Sequence, residues 1–300
     1  MNGALDTFAA EVGGPAGGPV TCVGGRTQWD AGGPIAAGAR EVRAPEGIVA
    51  YVPSEMTVQV RAGTPVSVLD EALAEHGQTV ALPDWPGATV GGVLAVGRSG
   101  IRRLGYGPVR DTVLEVRAVT AAGAVVKAGG PTVKNVSGYD LCRLLVGSLG
   151  TLGFIGEVTL RTRPVAPTSR WVSGELDPFE ALARLHRPTA VLWDGQTTWI
   201  CLEGHPDDVQ AQADLLDAAG VNGPPARPPH RWSLTPGELR HLPGRAAETG
   251  RFLAEVGVGL VHAERPPPAR PVDPVVAALQ RRVKAAFDPE GRMNPGRAPA

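Results

Sequence analysis

The sequence predicts an α+β fold in which a large first domain is followed by a smaller second one. From about Val20 to Pro164, short apolar runs alternate with Gly-rich turns, as expected for a sheet-rich domain. After Pro164 the pattern changes to strand, helix, strand and strand, which is typical of a small α+β unit. The 300 residues include 40 Gly and 29 Pro, which we assign to turns and loops because the apolar fraction of 43% is sufficient for a core.

Local signals place the elements of the first domain. Residues 48–52 and 58–61 predict two strands, and Thr64-Pro65 predicts a helix that Thr64 caps. Gly77 predicts the left-handed residue that ends this helix. Residues 112–120 and 124–128 predict a hairpin, and residues 154–163 predict a further strand. The buried face of the helix is predicted to comprise Val68, Leu69, Ala72 and Leu73.

The second domain is predicted from shorter patterns. Strands are expected at 171–176, 190–193 and 198–202, with a helix at 179–186. A further helix is predicted at 207–219, with Leu215 and Leu216 buried. Asp273-Pro274 predicts the start of a closing helix that runs to Phe287. We therefore divide the chain into domains at residues 1–165 and 166–271, with residues 272–300 returning to the first domain.

Charge and cysteine content exclude several classes of protein. The 29 basic and 30 acidic side chains give a net charge of −1, which offers nucleic acid no attraction. Three widely spaced cysteines without a C-x-x-C pair predict neither a disulfide framework nor a zinc site. The N-terminus lacks the pattern of a signal peptide, and no apolar run reaches eighteen residues. We expect a cytoplasmic protein without direct membrane insertion, associated with a membrane only through partner subunits.

The first glycine cluster follows a predicted strand. The apolar run 20–23 leads into Gly24, Gly25, Arg26 and Thr27, whose backbone N–H groups could converge on a pyrophosphate. An ordinary turn explains the same residues equally well, and the two interpretations stay open at this point. The sequence contains neither the G-x-G-x-x-G fingerprint nor a G-x-x-x-x-G-K-[ST] loop, which disfavours Rossmann and P-loop folds.

Two further glycine clusters predict more walls for a ligand. In residues 83–92, Thr89 is expected to cap a helix, and Gly91 and Gly92 are expected to contact a ligand rather than to serve close helix packing. In residues 130–153, Gly, Ser and Thr surround a short predicted helix before the strand at 154. Lys134 and Tyr139 are placed either at the rim of the ligand site or in solvent.

These stretches resemble the FAD-binding domain of the vanillyl-alcohol oxidase and p-cresol methylhydroxylase (PCMH) superfamily. Within it, the run from Lys134 to Gly153 is similar to the FAD-binding subunits of bacterial glycolate oxidases, most closely the smaller one. Residues 287–296 resemble the terminal motif of the same family. The resemblance implies a two-subdomain FAD-binding domain followed by a small, reduced α+β cap domain.

The resemblance also implies a cofactor, partners and site residues. FAD is expected without a covalent link, because no His lies in or near the loop at 24–29. The implied partners are a larger FAD-binding subunit and an iron–sulfur subunit, and the implied substrate is a small 2-hydroxy acid. Alternatives are a stand-alone FAD oxidoreductase that uses NAD(P)H and a non-catalytic assembly subunit. The implied cofactor-binding residues are Gly24, Gly25, Arg26, Thr27, Pro83, Thr89, Gly91, Gly92, Gly153 and Ile155.

The sequence does not identify a catalytic residue. The six His form no H-x-x-x-H or H-x-H pair, so no metal site is expected. His262 lies on an apolar run and either faces the flavin or is a hydrogen-bonded core residue, and we favour the core. Arg98, Arg102 and Arg103 could attract an acidic substrate, although an exposed basic turn is the commoner outcome.

Overall fold

The computed structural model describes residues 3–83, 85–130, 140–269 and 271–298. The chain divides into two compact units. Unit 1 comprises residues 1–100, 108–165 and 272–300, and unit 2 comprises residues 101–107 and 166–271. Each unit contains both helices and strands, so the predicted α+β class is confirmed.

In the described part of unit 1, five strands form an antiparallel sheet in the order β3-β4-β8-β6-β7. A parallel pair, β1 and β2, and an antiparallel pair, β5 and β9, lie outside this sheet. The strands are β1 Val20–Cys22, β2 Arg40–Val42, β3 Ile48–Val52, β4 Thr57–Arg61, β5 Gln78–Thr79, β6 Val113–Val119, β7 Val125–Gly129, β8 Phe154–Arg161 and β9 Arg163–Pro164.

The core of unit 1 lies on both faces of β8. Phe154 packs in one cluster with Leu5 and Phe8, whereas Val158 packs in another with Leu69. β8 is buried from Phe154 to Leu160, including the polar residues Glu157 and Thr159. The described helices of this unit are α1 Gly3–Val12, α2 Val66–Ala74, α3 Val90–Val96, α5 Leu141–Leu145 and α10 Pro274–Phe287.

In the described part of unit 2, seven strands form one antiparallel sheet in the order β13-β10-β12-β11-β15-β16-β14. Its core contains Val172, Ile200 and Trp232. The strands are β10 Thr168–Gly174, β11 Ala190–Trp193, β12 Thr198–Gly204, β13 Ala219–Val221, β14 His230–Ser233, β15 Phe252–Glu255 and β16 Leu260–Ala263. The helices are α4 Arg103–Tyr106, α6 Pro178–Arg184, α7 Pro206–Ala213, α8 Pro236–Leu239 and α9 Ala246–Thr249. No helix within the described ranges combines the length and the apolar character needed to span a bilayer.

Two predicted helix caps are confirmed and one is wrong. The Asp273 carboxylate accepts from the Val275 N–H at the start of α10, and the Thr89 hydroxyl accepts from the Gly92 N–H at the start of α3. Thr64 does not cap α2, because its hydroxyl accepts from the Gly47 N–H instead. The Thr64 hydroxyl therefore bonds to Gly47, a residue distant in the chain, and not to an N–H group at the start of α2.

Two predicted burial assignments are also wrong. Val68 is 46% exposed, whereas the predicted Leu69 and Leu73 are buried and Val66 takes the remaining buried position of α2. The helix predicted at 207–219 ends at Ala213, so Leu215 lies in the turn before β13 and is 47% exposed. The predicted left-handed Gly77 is confirmed, with φ of +62°.

A buried arginine attaches the C-terminal segment to the rest of unit 1. Arg292 is 3% exposed, and its guanidinium donates to backbone carbonyls as far apart in the chain as Gly18 and Ala121. Asp288, 1% exposed, accepts from the backbone N–H of Arg292 and from the Lys284 ammonium group. The four carbonyl acceptors of the guanidinium belong to Val12, Gly13, Gly18 and Ala121.

Replacing Arg292 with Leu is expected to destabilise the chain strongly. The substitution leaves buried carbonyls without their donor, so the free energy of unfolding should fall by about 3 kcal/mol or more. Urea denaturation measures this change. The matched control is Arg281→Leu on α10, because Arg281 is exposed and has no hydrogen bond or ion pair within the described residues. A loss below about 1 kcal/mol for Arg292→Leu would contradict the anchoring role.

Candidate cofactor site

Unit 1 contains a cleft made of two adjoining cavities. The empty space within them, including the part that is open to solvent, is about 480 and 520 Å³. Because the two cavities share part of their lining, they form one continuous cleft. The shared lining residues are Cys22, Gly24, Thr89, Gly92, Ala95 and Asn294.

Nine of the ten cofactor-binding residues implied by the sequence line this cleft. They are Gly24, Gly25, Arg26, Thr27, Thr89, Gly91, Gly92, Gly153 and Ile155. The tenth, Pro83, is half-buried and is not part of the lining of either cavity. Lys134 and Tyr139 fall outside the described residues.

The loop after β1 offers a row of backbone donors to the cleft. None of the N–H groups of residues 24–27 donates to an acceptor in the described part of the chain. Arg26 has a φ of +56°, in the left-handed region. A left-handed residue within a turn makes neighbouring N–H groups converge, and such a concavity binds anions. The loop can therefore hold a phosphate or pyrophosphate.

Steric contacts explain why this loop contains two glycines. A Cβ on Gly25 would lie 1.6 Å from the Gly87 carbonyl oxygen, and a Cβ on Gly24 would lie 2.4 Å from Thr89 Oγ1. Real Cβ atoms do not approach other atoms so closely, so any larger residue would push the two loops apart. The absence of side chains here keeps the loop of residues 24–27 against the start of α3.

The sequence predicts that Gly91 contacts a ligand rather than serving close packing. In the structure, close packing against Ala62 explains why this residue is a glycine. Its N–H donates to the Ala62 carbonyl at 2.7 Å, and a Cβ would lie 2.6 Å from Ala62 Cβ. The N–H of Gly92 donates to Thr89 Oγ1. Gly91 and Gly92 thus line the cleft as a flat wall, while their N–H groups are already bonded within the chain.

Asn294 is a lining residue that the sequence interpretation did not identify. Its side-chain oxygen accepts from the Thr21 hydroxyl at 2.7 Å and from the Cys22 N–H at 3.2 Å. Its amide nitrogen donates to the Leu149 carbonyl at 2.5 Å. Asn294 and Leu149 both have positive φ, of +43° and +53°. The only available signal was the resemblance of residues 287–296 to a terminal motif, which did not indicate this contact.

Two arginines, Arg26 and Arg297, line one end of the cleft, and Arg98 is bonded to the lining residue Gln28. The Arg26 guanidinium pairs with Glu41 at 2.5 Å, and Arg98 donates to the Gln28 side-chain oxygen at 2.5 Å. Burial lowers the pKa of Arg98, as expected for a cation removed from water. Positive charge at this end complements the free N–H groups of the loop in attracting an anionic ligand.

Cys22 lines both cavities. Burial raises the pKa of its thiol from the ordinary 9.0 to about 12, although a hydrogen bond from the Ala44 backbone and the charge of Arg43 act in the other direction. The thiol is therefore protonated at neutral pH and is a poor nucleophile. Cys22 contributes shape, not reactivity, to the cleft.

The other candidate residues belong to unit 2. His262 lies on β16, and its Nε2 is 2.8 Å from Glu255 Oε1. Arg102 lies 2.8 Å from Glu203, which also accepts from the Tyr106 hydroxyl at 2.5 Å. Each of these groups thus has a partner within unit 2. No cluster of three or more His, Cys, Asp or Glu side chains suitable for a metal ion occurs among the described residues.

Comparison with known families identifies two parts of the chain. Residues 12–129 match the model of the FAD binding domain, and residues 247–298 match the model of the C-terminal domain of FAD linked oxidases. The chain is 36% identical over 217 residues to glycolate oxidase subunit GlcE of Escherichia coli strain K12. This match covers 68% of the chain and 61% of that protein.

Other relatives match shorter regions. D-lactate dehydrogenase of Archaeoglobus fulgidus is 46% identical over 106 residues, which are 34% of this chain and 24% of that protein. The chain thus spans less than two thirds of the length of both curated relatives. Among solved structures, alkyldihydroxyacetonephosphate synthase superimposes with a TM-score of 0.69 at 15% identity, covering 98% of this chain and 74% of the other. This likeness shows the shared fold.

Replacing Gly25 with Ala is expected to abolish tight FAD binding. The new Cβ cannot fit beside the Gly87 carbonyl, so the loop must move away from the cleft. We expect the FAD dissociation constant to rise more than tenfold, measured by quenching of flavin fluorescence. The control is Gly220→Ala, since Gly220 has an ordinary φ and no atom near the Cβ position. Unchanged FAD affinity in Gly25→Ala would place the cofactor elsewhere.

Cys22 is expected to resist alkylation at ordinary pH. With a pKa near 12, roughly one thiol in ten thousand is ionised at pH 8. Iodoacetamide labelling, followed by mass spectrometry, should accelerate with pH without levelling off near pH 9, whereas the urea-unfolded chain should level off there. Because the folded pKa is raised, the thiol's contribution to stability is present below pH 9 and is lost as pH rises towards 12. A plateau near pH 9 in the folded chain would contradict this pKa.

The cleft fits a flavin dinucleotide. Free N–H groups beside arginine suit its pyrophosphate, and walls of Gly and Ala let flat rings approach the backbone. Both family matches contribute residues to this cleft. Residues 12–129 contain the loop of residues 24–27 and α3, and residues 247–298 contain Asn294. The chain therefore carries regions that match both the FAD binding domain and the C-terminal domain of FAD linked oxidases, the two domains of the PCMH type, and FAD is its cofactor.

Proposed function

We propose that this chain is the FAD-binding subunit of a dehydrogenase or oxidase that acts on a small 2-hydroxy acid of the glycolate type. The observation that carries the proposal is the cleft in unit 1, in a chain that is 36% identical to a glycolate oxidase subunit over 68% of its length. The similarity to D-lactate dehydrogenase supports the same substrate class, because lactate and glycolate are both 2-hydroxy acids.

Within this proposal, each part of the cleft has a role. The loop of residues 24–27 holds the pyrophosphate through its backbone N–H groups. Thr89, Gly91 and Gly92 form the wall beside the diphosphate and flavin, and Gly153 and Ile155 lie at the adenine end. Pro83 precedes this wall in the chain and belongs to the proposed set through the resemblance alone.

Bound FAD would supply the capacity to accept hydride from the substrate carbon. The chain's own residues bind and orient it. Among the described residues that line the cleft, none is a His, and the Cys22 thiol stays protonated. Both observations support binding without a covalent link.

Electrons are proposed to leave through partner subunits, namely a larger FAD-binding subunit and an iron–sulfur subunit. Two observations favour a shared enzyme over a self-sufficient one. The described residues contain no metal cluster that could hold a substrate carboxylate. The ionisable groups of unit 2 discussed above, His262 and Glu203, are already engaged with neighbours in the same unit. We assign residues 166–271 the role of a reduced cap domain.

The proposal is tested with the purified chain and with its reconstituted complex. Glycolate and D-lactate are offered with a dye acceptor, first to the chain alone and then to the chain co-expressed with a larger FAD-binding subunit and an iron–sulfur subunit. We expect FAD in both preparations and at least tenfold more dye reduction by the complex. A colourless chain that takes up no added flavin would reject the proposal.

Two variants show whether this chain's own FAD takes part in turnover. In the complex, Gly25→Ala should remove most of the activity, whereas Gly220→Ala should leave it unchanged. If the Gly25→Ala complex assembles without FAD in this subunit and keeps full activity, the chain serves assembly only. Rapid oxidation of NADPH by the isolated chain would replace the proposal with a stand-alone oxidoreductase.

A further inference from the structure

The loop that carries the phosphate-binding residues lacks regular structure of its own. Residues 23–39 connect β1 to β2 without a helix or strand, and residues 24–27 lie at their start. A loop of this length is ordered only if other parts of the chain hold it. The contacts that hold it therefore decide how well its N–H groups are arranged for an anion.

Residues 294–298 supply many of these contacts. The backbone N–H of Ala36 donates to the Pro295 carbonyl at 2.8 Å, and the N–H of Ala298 donates to the Gly32 carbonyl at 3.0 Å. A Cβ on Gly296 would lie 2.6 Å from the Pro34 carbonyl oxygen, so the two backbones are in direct contact. The C-terminal segment thus lies along the second half of the loop.

Arg297 extends this contact towards the phosphate-binding residues. Its guanidinium donates to the Trp29 carbonyl at 2.5 Å and to the Ala31 carbonyl. It also stacks on the Trp29 ring, with 4.5 Å between Cζ and the ring centroid. The Arg26 guanidinium contacts the same ring at 4.9 Å. Trp29 therefore connects Arg297 to the left-handed residue of the phosphate-binding loop.

The charge of Arg297 is not used in an ion pair with a carboxylate among the described residues. Burial lowers its pKa, and the negative charge of Asp30 acts in the opposite direction. Its donors are directed at carbonyl oxygens two residues apart, which suits the fixed fork of a guanidinium and does not suit a lysine ammonium. The Arg297 side chain therefore links the C-terminal segment to the backbone of the loop at Trp29 and Ala31.

We propose that Arg297 is a positioning residue for FAD: by fixing the backbone at Trp29 and Ala31, it holds the N–H groups of residues 24–27 in their anion-binding arrangement. Arg297 and Trp29 both line the cleft. A preorganised loop does not have to become ordered when the ligand binds, so holding the loop raises affinity separately from any contact that Arg297 itself makes with the cofactor. The inference rests on the proposed assignment of residues 24–27 to the pyrophosphate.

The test measures FAD binding in the full-length chain. For Arg297→Gln we expect the FAD dissociation constant to rise about tenfold, mostly through faster release, which flavin fluorescence records. In the apoprotein we expect limited proteolysis to cut faster within residues 23–39. The control is Arg281→Gln, an exposed arginine without a partner in the described residues, which should match the wild type in both measurements.

A conservative variant separates positioning from direct charge. Arg297→Lys keeps the charge but cannot brace both carbonyls, so we expect it to resemble Arg297→Gln. Full recovery of affinity in Arg297→Lys, together with a loss in Arg297→Gln that diminishes at high salt, would mean that the charge acts on the phosphates directly, which overturns the proposal. Lower thermal stability with unchanged FAD release and unchanged proteolysis would also overturn it.

The outcomes distinguish this inference from the proposed function. If the wild-type chain binds no FAD, the proposed function fails first. If the wild type binds FAD and Gly25→Ala does not, but Arg297→Gln binds normally, then only the positioning role is wrong.

Discussion

The cofactor cleft depends on a segment that returns to unit 1 after the chain has built unit 2. Arg292 brings this segment into the core through four backbone carbonyls, and Asn294 then joins β1 to the turn at Leu149. These are charge-assisted or buried hydrogen bonds, which cost most when one partner is removed. Because the pair β1–β2 lies outside the main sheet, its placement relies on such bonds instead of a long ladder.

Backbone strain is concentrated where these segments meet. Three of the non-glycine residues with positive φ, Arg26, Leu149 and Asn294, line the cleft. Each left-handed residue costs of order 1 kcal/mol and persists only where surrounding contacts determine the conformation. Asn294 is held by its own side-chain bonds, and Leu149 is held by the bond of its carbonyl to Asn294 and of its N–H to the Ala95 carbonyl. The hydrogen bond between Asn294 and Leu149 thus helps to hold both residues in their left-handed conformations.

The sequence predicted what depends on neighbouring residues and missed what depends on distant ones. Asp273-Pro274 and Thr89 were identified as helix starts because a cap acts within three residues of its own position. Thr64 has the same local signal, but Gly47, seventeen residues earlier, engages its hydroxyl. Asn294 and Arg297 contact residues about 270 positions earlier in the chain, and no periodicity or turn pattern encodes such a pairing. The glycine clusters drew attention to the cleft, but could not show which glycines serve packing.

Two separate properties decide what each glycine of the cleft contributes. One is whether a Cβ would collide with the protein, and the other is whether the N–H group already has an acceptor. At Gly91 a Cβ would collide with Ala62, and the N–H group is already bonded to the Ala62 carbonyl, so close packing explains why this position of the cleft wall is a glycine. Gly25 also excludes a Cβ, but its N–H has no acceptor in the described part of the chain. Since an amide that is left unbonded by the fold is available to a ligand, the electrostatic recognition of an anion falls to the loop after β1, and α3 supplies the shape against which the ligand lies.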